Sequence, residues 1–339
     1  MSARASWVTL LLCFAVTSNA CGPRSTLPAA LSDADFWALI ETLSEPPGTF
    51  DISENLVSNE PDFVDNARRL RDAGGVYIGV GPEQNFSYIA RLRPAMAFIV
   101  DIRRENRNLH LLYKALFELS ADRAEFVSRL FSRPRPAGLG SDNGIDEIFE
   151  RFEKVPGTTE RRVETSTLIR ERLVATHRFA VSQSDLEFIE RALQAFAVDG
   201  PAIHFWGARA VDDNAIRPSY QQLMTARDVS GQRRSFLASE EAFAFIKDLH
   251  SKNQIVPVIG DFAGPSALRR VGDYVRSHGD VIQAFYASNV GVYLNSRQTQ
   301  AFCANLLTLP AAATASFIER DDVRPFSVKL EACTTRPTR

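Results

Sequence analysis

Between Gly74 and Asn106 the chain reads GGVYIGVGPEQNFSYIARLRPAMAFIVDIRREN. An apolar strand, Val76 to Val80, runs into a Gly79-x-Gly81 turn and a helix opening on Pro82. A second apolar strand, Met96 to Val100, ends on Asp101. Two consecutive apolar strands joined by a helix predict a parallel β–α–β unit, and so an α/β fold. The turn also suits a nucleotide-type cofactor. Glycine lets backbone approach a ligand closely, the helix N-terminus offers free N–H groups, and an acid about 20 residues on can accept bonds from ribose hydroxyls. Each position has a plainer reading: a tight turn that needs glycine at 79 and 81, and a strand-end cap at 101.

The dinucleotide fingerprint calls for a third glycine where helix and strand pack. Gln84 holds that position, which argues against NAD or FAD. Arg103 and Arg104 offer the alternative of flanking a phosphate. Strand signals return at Ile255–Gly260 and Val281–Ser288, separated by a helix that opens at Ser266 and ends at Gly279. From about 142 to 250 the periodicity is helical, with start signals at Ser184/Glu187 and Ser239; an earlier one is Asp122/Glu125. The expected architecture is a doubly wound, mainly parallel sheet built from 74–120 and 253–320. A helical insertion, 121–252, is expected beside or over the ligand-binding strand ends. A helical cap (32–73) precedes the sheet and a C-terminal tail (321–339) follows it.

A G-x-G turn with a downstream acid resembles the first two motifs of class I S-adenosylmethionine-dependent methyltransferases. The wider wording is similar to a family of uncharacterised bacterial proteins of methyltransferase-like fold. The shared phrases are SEPPGTFDISENLVSNE, GGVYIGVGPEQNFSYIA, FIVDIRREN, LHLLYKALFELSADRAEFVSRLFSRPRP, VPVIGDFAGPSALR and AFYASNVGVYL, covering nearly the whole chain from about Phe36. The resemblance implies S-adenosylmethionine as cofactor, with Gly79 and Gly81 near its amino-acid end and Asp101 on its ribose. Asp261 matches the acid that bonds the adenine amino group, although Gly260-Asp261 is also an ordinary loop opening. Asn289 sits where many such enzymes carry an Asn or Asp before two prolines and an aromatic. Here Val290-Gly291 replace the prolines, so Asn289 is a candidate catalytic residue or an ordinary turn residue. Ser58, Asn59 and Glu60 are candidates for a lid over the cofactor or for substrate contact, against a plain surface turn. Glu83 either contacts the cofactor or favours the helix dipole. Methyl transfer chiefly requires alignment of acceptor and methyl group, so the acceptor is not legible.

A formal net charge of −2 and scattered arginine pairs give no basic track for nucleic acid. None of the five histidines forms HxxxH or HExxH, and no Cys/His spacing suggests zinc. Residues 1–20 resemble a signal peptide: Arg4 precedes the short apolar run Trp7–Val16, which is followed by small residues up to Ala20. Cleavage after Ala20 suits a general signal peptidase. Cys21 followed by Gly22 also resembles a lipoprotein signal, with 21–31 as the tether and the lipid as the sole membrane contact. A misassigned start is the alternative, and would leave the protein cytoplasmic. Cys303 and Cys333 remain in the folded body, as a disulfide or as two buried thiols. Two functional readings follow: a methyltransferase on an unidentified acceptor, or an exported non-enzymatic lipoprotein that reuses the fold for binding or scaffolding.

Overall fold

The computed structural model describes residues 25–50, 55–204 and 218–335. Its elements begin with α1 (Asp33–Leu43), α2 (Phe63–Arg69), β1 (Val76–Gly79), α3 (Gln84–Leu92), β2 (Met96–Asp101) and α4 (Arg104–Leu119). A helical stretch follows: α5 (Arg123–Leu130), α6 (Ile145–Glu153), α7 (Thr159–Arg170), a π-helical turn (Glu171–Thr176), α8 (Gln183–Asp199), α9 (Tyr220–Thr225) and α10 (Glu240–Ser251). The chain then returns to the sheet through β3 (Ile255–Ile259), α11 (Ala267–Ser277), β4 (Ile282–Ser288), α12 (Ser296–Leu306), β5 (Ala311–Glu319), β6 (Asp322–Pro325) and α13 (Phe326–Thr334).

The six strands form one sheet in the order β3-β2-β1-β4-β5-β6. Every neighbouring pair is parallel except β5 and β6. Ile78 lies opposite Phe98 on one side and Phe285 on the other, so β1 is the strand at which the order reverses. Every residue of β1, β2 and β3 is buried, as a sheet covered on both faces requires. Pro257 is accommodated because β3 is an edge strand, and α1 packs beside it. The helices α2, α3, α10 and α4 contact one another in sequence as one layer; α11, α12 and α13 form another.

The mixed α/β architecture with a mainly parallel sheet is as expected. Two local expectations are corrected. Of the expected C-terminal tail 321–339, residues 321–335 are no tail: β6 pairs with β5, and α13 packs on β5 and α12. The helix expected at Ser184 starts two residues earlier, because Ser182 and Asp185 form the reciprocal cap. Asp185 is fixed there by Arg104 (2.7 and 2.8 Å) and Asn108 (2.8 Å) from α4. The helical insertion is integral to the helical layer. Its α8 and α10 pack onto α4, and α10 onto α3. Phe86 of α3 lies at the centre of that contact, with the rings of Tyr113, Phe117 and Phe236 set edge-on at 5.3 to 5.4 Å.

Cys303 and Cys333 are joined in a disulfide that staples α12 to α13, which resolves the open choice between bridge and thiols. No helix among the described residues is long and apolar enough to cross a membrane. The signal segment and Cys21 lie outside the described residues.

Candidate functional site

Where the strand order reverses, the loops leaving β1 and β4 diverge and open a crevice at the carboxyl ends of the strands. A cavity of about 310 Å³ lies there, within the range of small-molecule sites. Gly81 follows β1, Asp101 and Arg103 follow β2, Gly260 and Asp261 follow β3, and Ser288 and Asn289 follow β4; all line the cavity. The segment holding Ser58, Asn59 and Glu60 crosses it, with Phe50 and Tyr293 meeting edge-on at 4.9 Å at its wall. Of the expected site residues, Gly81, Asp101, Asp261, Asn289, Ser58, Asn59 and Glu60 are therefore brought together. No described residue of 121–252 lines the cavity, so of the two expected placements, beside or over the strand ends, the insertion does not supply the cavity wall.

Gly79 and Glu83 are not at the wall. Gly79 is required by packing: a Cβ there would overlap Asn85 Oδ1 and stand 2.6 Å from the Tyr77 hydroxyl. Asn85 in turn holds the loop, donating from Nδ2 to the carbonyls of Val80 (2.9 Å), Gly81 (3.1 Å) and Pro82 (2.7 Å). Its Oδ1 accepts from Tyr77 (2.9 Å). His110 Nε2, on α4, lies 2.9 Å from the Gly81 carbonyl, so the neutral tautomer protonated there donates to it. Burial pushes its pKa down to about 4, partly offset by that bond. Gly81 itself has φ +80, in the left-handed region, and a Cβ there would meet nothing within 4 Å. The two glycines thus divide the work: one seats Asn85, the other turns the chain along the cavity.

Glu83 is fully buried behind the turn, and its carboxyl accepts from the Ser58 backbone N–H (3.1 and 3.3 Å). Burial pushes its pKa up to about 8, with the Ser58 bond opposing. Its part is to tie the 58–60 segment to the start of α3. Gln84, which replaces the third glycine, adds to the same tie. Its Oε1 accepts from the Ser58 hydroxyl and its Nε2 donates to Glu60 Oε2 (2.8 Å).

Asp101 differs most from expectation. Its Oδ1 accepts from the Arg103 backbone N–H and from Nε, both at 2.9 Å, and its Oδ2 accepts from Nη2 at 2.8 Å. Both side chains are 6% exposed. A carboxylate offers about four acceptor sites, so roughly one, on Oδ2, stays open for a ligand hydroxyl. Arg103 and Arg104 do not form a phosphate clamp, because Arg104 turns away to Asp185. Asp261 accepts from Ala263 N–H (2.8 Å), and its own N–H donates to Glu45 Oε2 (3.4 Å). Glu45 Oε1 accepts from the N–H groups of Ser266 (2.5 Å) and Ala267 (2.6 Å), so it caps α11 and braces the Asp261 loop together. Sequence reasoning missed Asn85, His110, Glu45, Arg103 as the partner of Asp101, and Tyr286. Only the amide one turn after Gly81 carried a local signal.

Glu60 is 2% exposed, and its Oε2 accepts from Gln84 Nε2 and the Tyr286 hydroxyl, both at 2.8 Å. Its Oε1 accepts from the Ser288 hydroxyl. Ser288 has φ +51, a conformation that a non-glycine residue adopts at a cost of about 1 kcal/mol or more. Burial raises the Glu60 pKa above its ordinary value, against the lowering effect of the Ser288, Gln84 and Tyr286 bonds and of the Arg320 charge. Three acids and one base, Arg103, are the charged groups among the described lining residues. The wall therefore favours a neutral or cationic ligand over a phosphate ester.

None of the curated proteins compared matches the chain. Residues 55–137 and 150–320, well over half its length and including every strand but β6, match the model of a domain of unknown function (DUF7790). The chain is a member of that family.

Proposed function

We propose that the cavity binds an adenosine-bearing sulfonium of the S-adenosylmethionine type, in a fold of the class I methyltransferase kind, and that the protein methylates an acceptor. The observation that carries this reading is the convergence of Gly81, Asp101 and Asp261 on one cavity from three successive strand ends. In this assignment the open acceptor site on Asp101 Oδ2 takes a ribose hydroxyl and Asp261 takes the adenine amino group. The acidic wall suits the sulfonium and ammonium charges, while the absence of an unpaired base among the described lining residues disfavours a dinucleotide. The bound cofactor supplies an already activated methyl group. The protein's residues hold and orient it and close segment 58–60 across it.

Titration calorimetry of the purified protein with S-adenosylmethionine and S-adenosylhomocysteine tests the reading. Binding in the micromolar range supports it, and no heat at millimolar ligand overturns it.

The disulfide favours a second reading on location, since such bridges persist in oxidising compartments. In it the protein is exported, anchored through Cys21, and uses the cavity to bind rather than to catalyse. Incorporation of labelled palmitate, lost in Cys21→Ser, supports this; an unlabelled cytosolic protein overturns it.

A further inference from the structure

A larger groove, about 880 Å³, adjoins the strand-end cavity and shares Ser288, Asn289 and Leu294 with it. The segment that crosses the first cavity continues into the second: Glu60 lines one, Pro61 and Asp62 the other. Glu60 stands at this divide. Its Oε2 is saturated by Gln84 and Tyr286, whereas among the described residues Oε1 accepts only from Ser288, the residue in the shared wall. One of the about two acceptor directions on Oε1 is thus left over, and the Ser288 that occupies the other lines both cavities.

Of the groove's own charges, Asp62 has no ion-pair partner among the described residues, and it is exposed, whereas the others are matched. Glu319 pairs with Arg324 and Lys329, and Asp322 with Arg69. Arg320 donates to the Asn59 carbonyl (3.1 Å) and lies 3.8 Å from Asp321. Glu60 has no ion-pair partner among the described residues, and a buried carboxylate gains most from a cation that arrives with its own N–H donors. Apolar wall is supplied by Val292, Leu294 and Phe302.

We propose that this groove is a second-substrate site for a primary amine, whose ammonium group enters at the Ser288–Asn289 junction and is received by Glu60 Oε1. The assignment rests on the first cavity holding the methyl donor. From there one proton can pass from the ammonium to Oε1, breaking an N–H bond and forming an O–H bond, which leaves the nitrogen lone pair free. The raised pKa of Glu60 agrees with a group able to hold that proton.

The test uses the whole protein saturated with S-adenosylhomocysteine and titrated with phenethylamine or with 2-phenylethanol, which differs chiefly in lacking the charge. The amine is expected to bind at least about tenfold more tightly. In Glu60→Gln the ratio of the two affinities is expected to fall near one. Equal affinities in the wild-type protein, or an amine preference that survives in Glu60→Gln, overturn the proposal. The wild-type comparison decides even if the variant does not fold. Failure of S-adenosylhomocysteine itself to bind instead overturns the donor reading, and this assignment with it.

Discussion

Replacing either glycine of the β1 turn by alanine adds one methyl group, yet the two substitutions are expected to fail in opposite ways. In Gly79→Ala the new Cβ overlaps Asn85 Oδ1, inside a fully buried site. Overpacking of this kind costs about 1–3 kcal/mol. Moving Asn85 also sacrifices two or three of its four hydrogen bonds, at about 1 kcal/mol each. The total, about 3–6 kcal/mol, corresponds to a fall of roughly 1–2 M in urea midpoint for an m-value of about 3 kcal/mol/M. In Gly81→Ala the Cβ meets nothing, and the cost is the left-handed backbone alone, about 1 kcal/mol or a midpoint shift near 0.3 M. Its methyl group sits at the cavity wall, however, and is expected to weaken S-adenosylhomocysteine binding by about tenfold or more. Urea unfolding followed by circular dichroism, paired with calorimetry, measures both. A Gly79→Ala protein within 1 kcal/mol of wild type, or a Gly81→Ala protein less stable than Gly79→Ala, would refute the division of roles.

Reduction of Cys303–Cys333, which closes a separation of 30 residues, is expected to lower stability by about 3–4 kcal/mol, read from unfolding with and without reductant. Two buried groups set opposing pH terms. His110, held low in the folded state, gives stability that is lost as pH falls from 6.5 toward 4, because the unfolded chain then binds the extra proton. Glu83, held high, gives stability that is lost as pH rises from 4.5 to 8, because the folded state then holds the extra proton. From pH 6.5 to 8 the Glu83 term acts without the opposing one, and a loss of about 2 kcal/mol is expected in wild type but not in Glu83→Gln. An equal loss in the variant would assign the effect elsewhere. Glu45→Ala removes the cap of α11 and is expected to cost about 1–2 kcal/mol by urea unfolding; a change below about 0.3 kcal/mol would mean the cap contributes little.

The β1–turn–α3–β2 unit was legible because its signals are local: apolar runs, two glycines and an acid within about 25 residues. The cavity's membership was legible for the same reason, since strand-end residues of a doubly wound sheet must converge. What failed depended on partners far along the chain. Ser182/Asp185 and Ser184/Glu187 both satisfy the capping pattern, and Arg104 and Asn108 on α4 decide between them. α11 is capped by Glu45 rather than by its own Ser266 side chain. Asp101 was readable as an acid at a strand tip, but not that Arg103 folds back on it. The C-terminal strand β6 was missed because four residues including a proline carry no periodic signal.

β1 occupies the middle of the sheet, but its two neighbours are made far apart in time. β2 follows within a few seconds of synthesis, whereas β4 emerges roughly 200 residues later, on the order of 10–40 s at ribosomal rates. Throughout that interval Val76–Gly79 presents an apolar strand with an unpaired edge, the kind of template on which other chains assemble. The nascent protein therefore depends on whatever shields that edge, and the strand that ends the exposure is the one that brings Ser288 to Glu60.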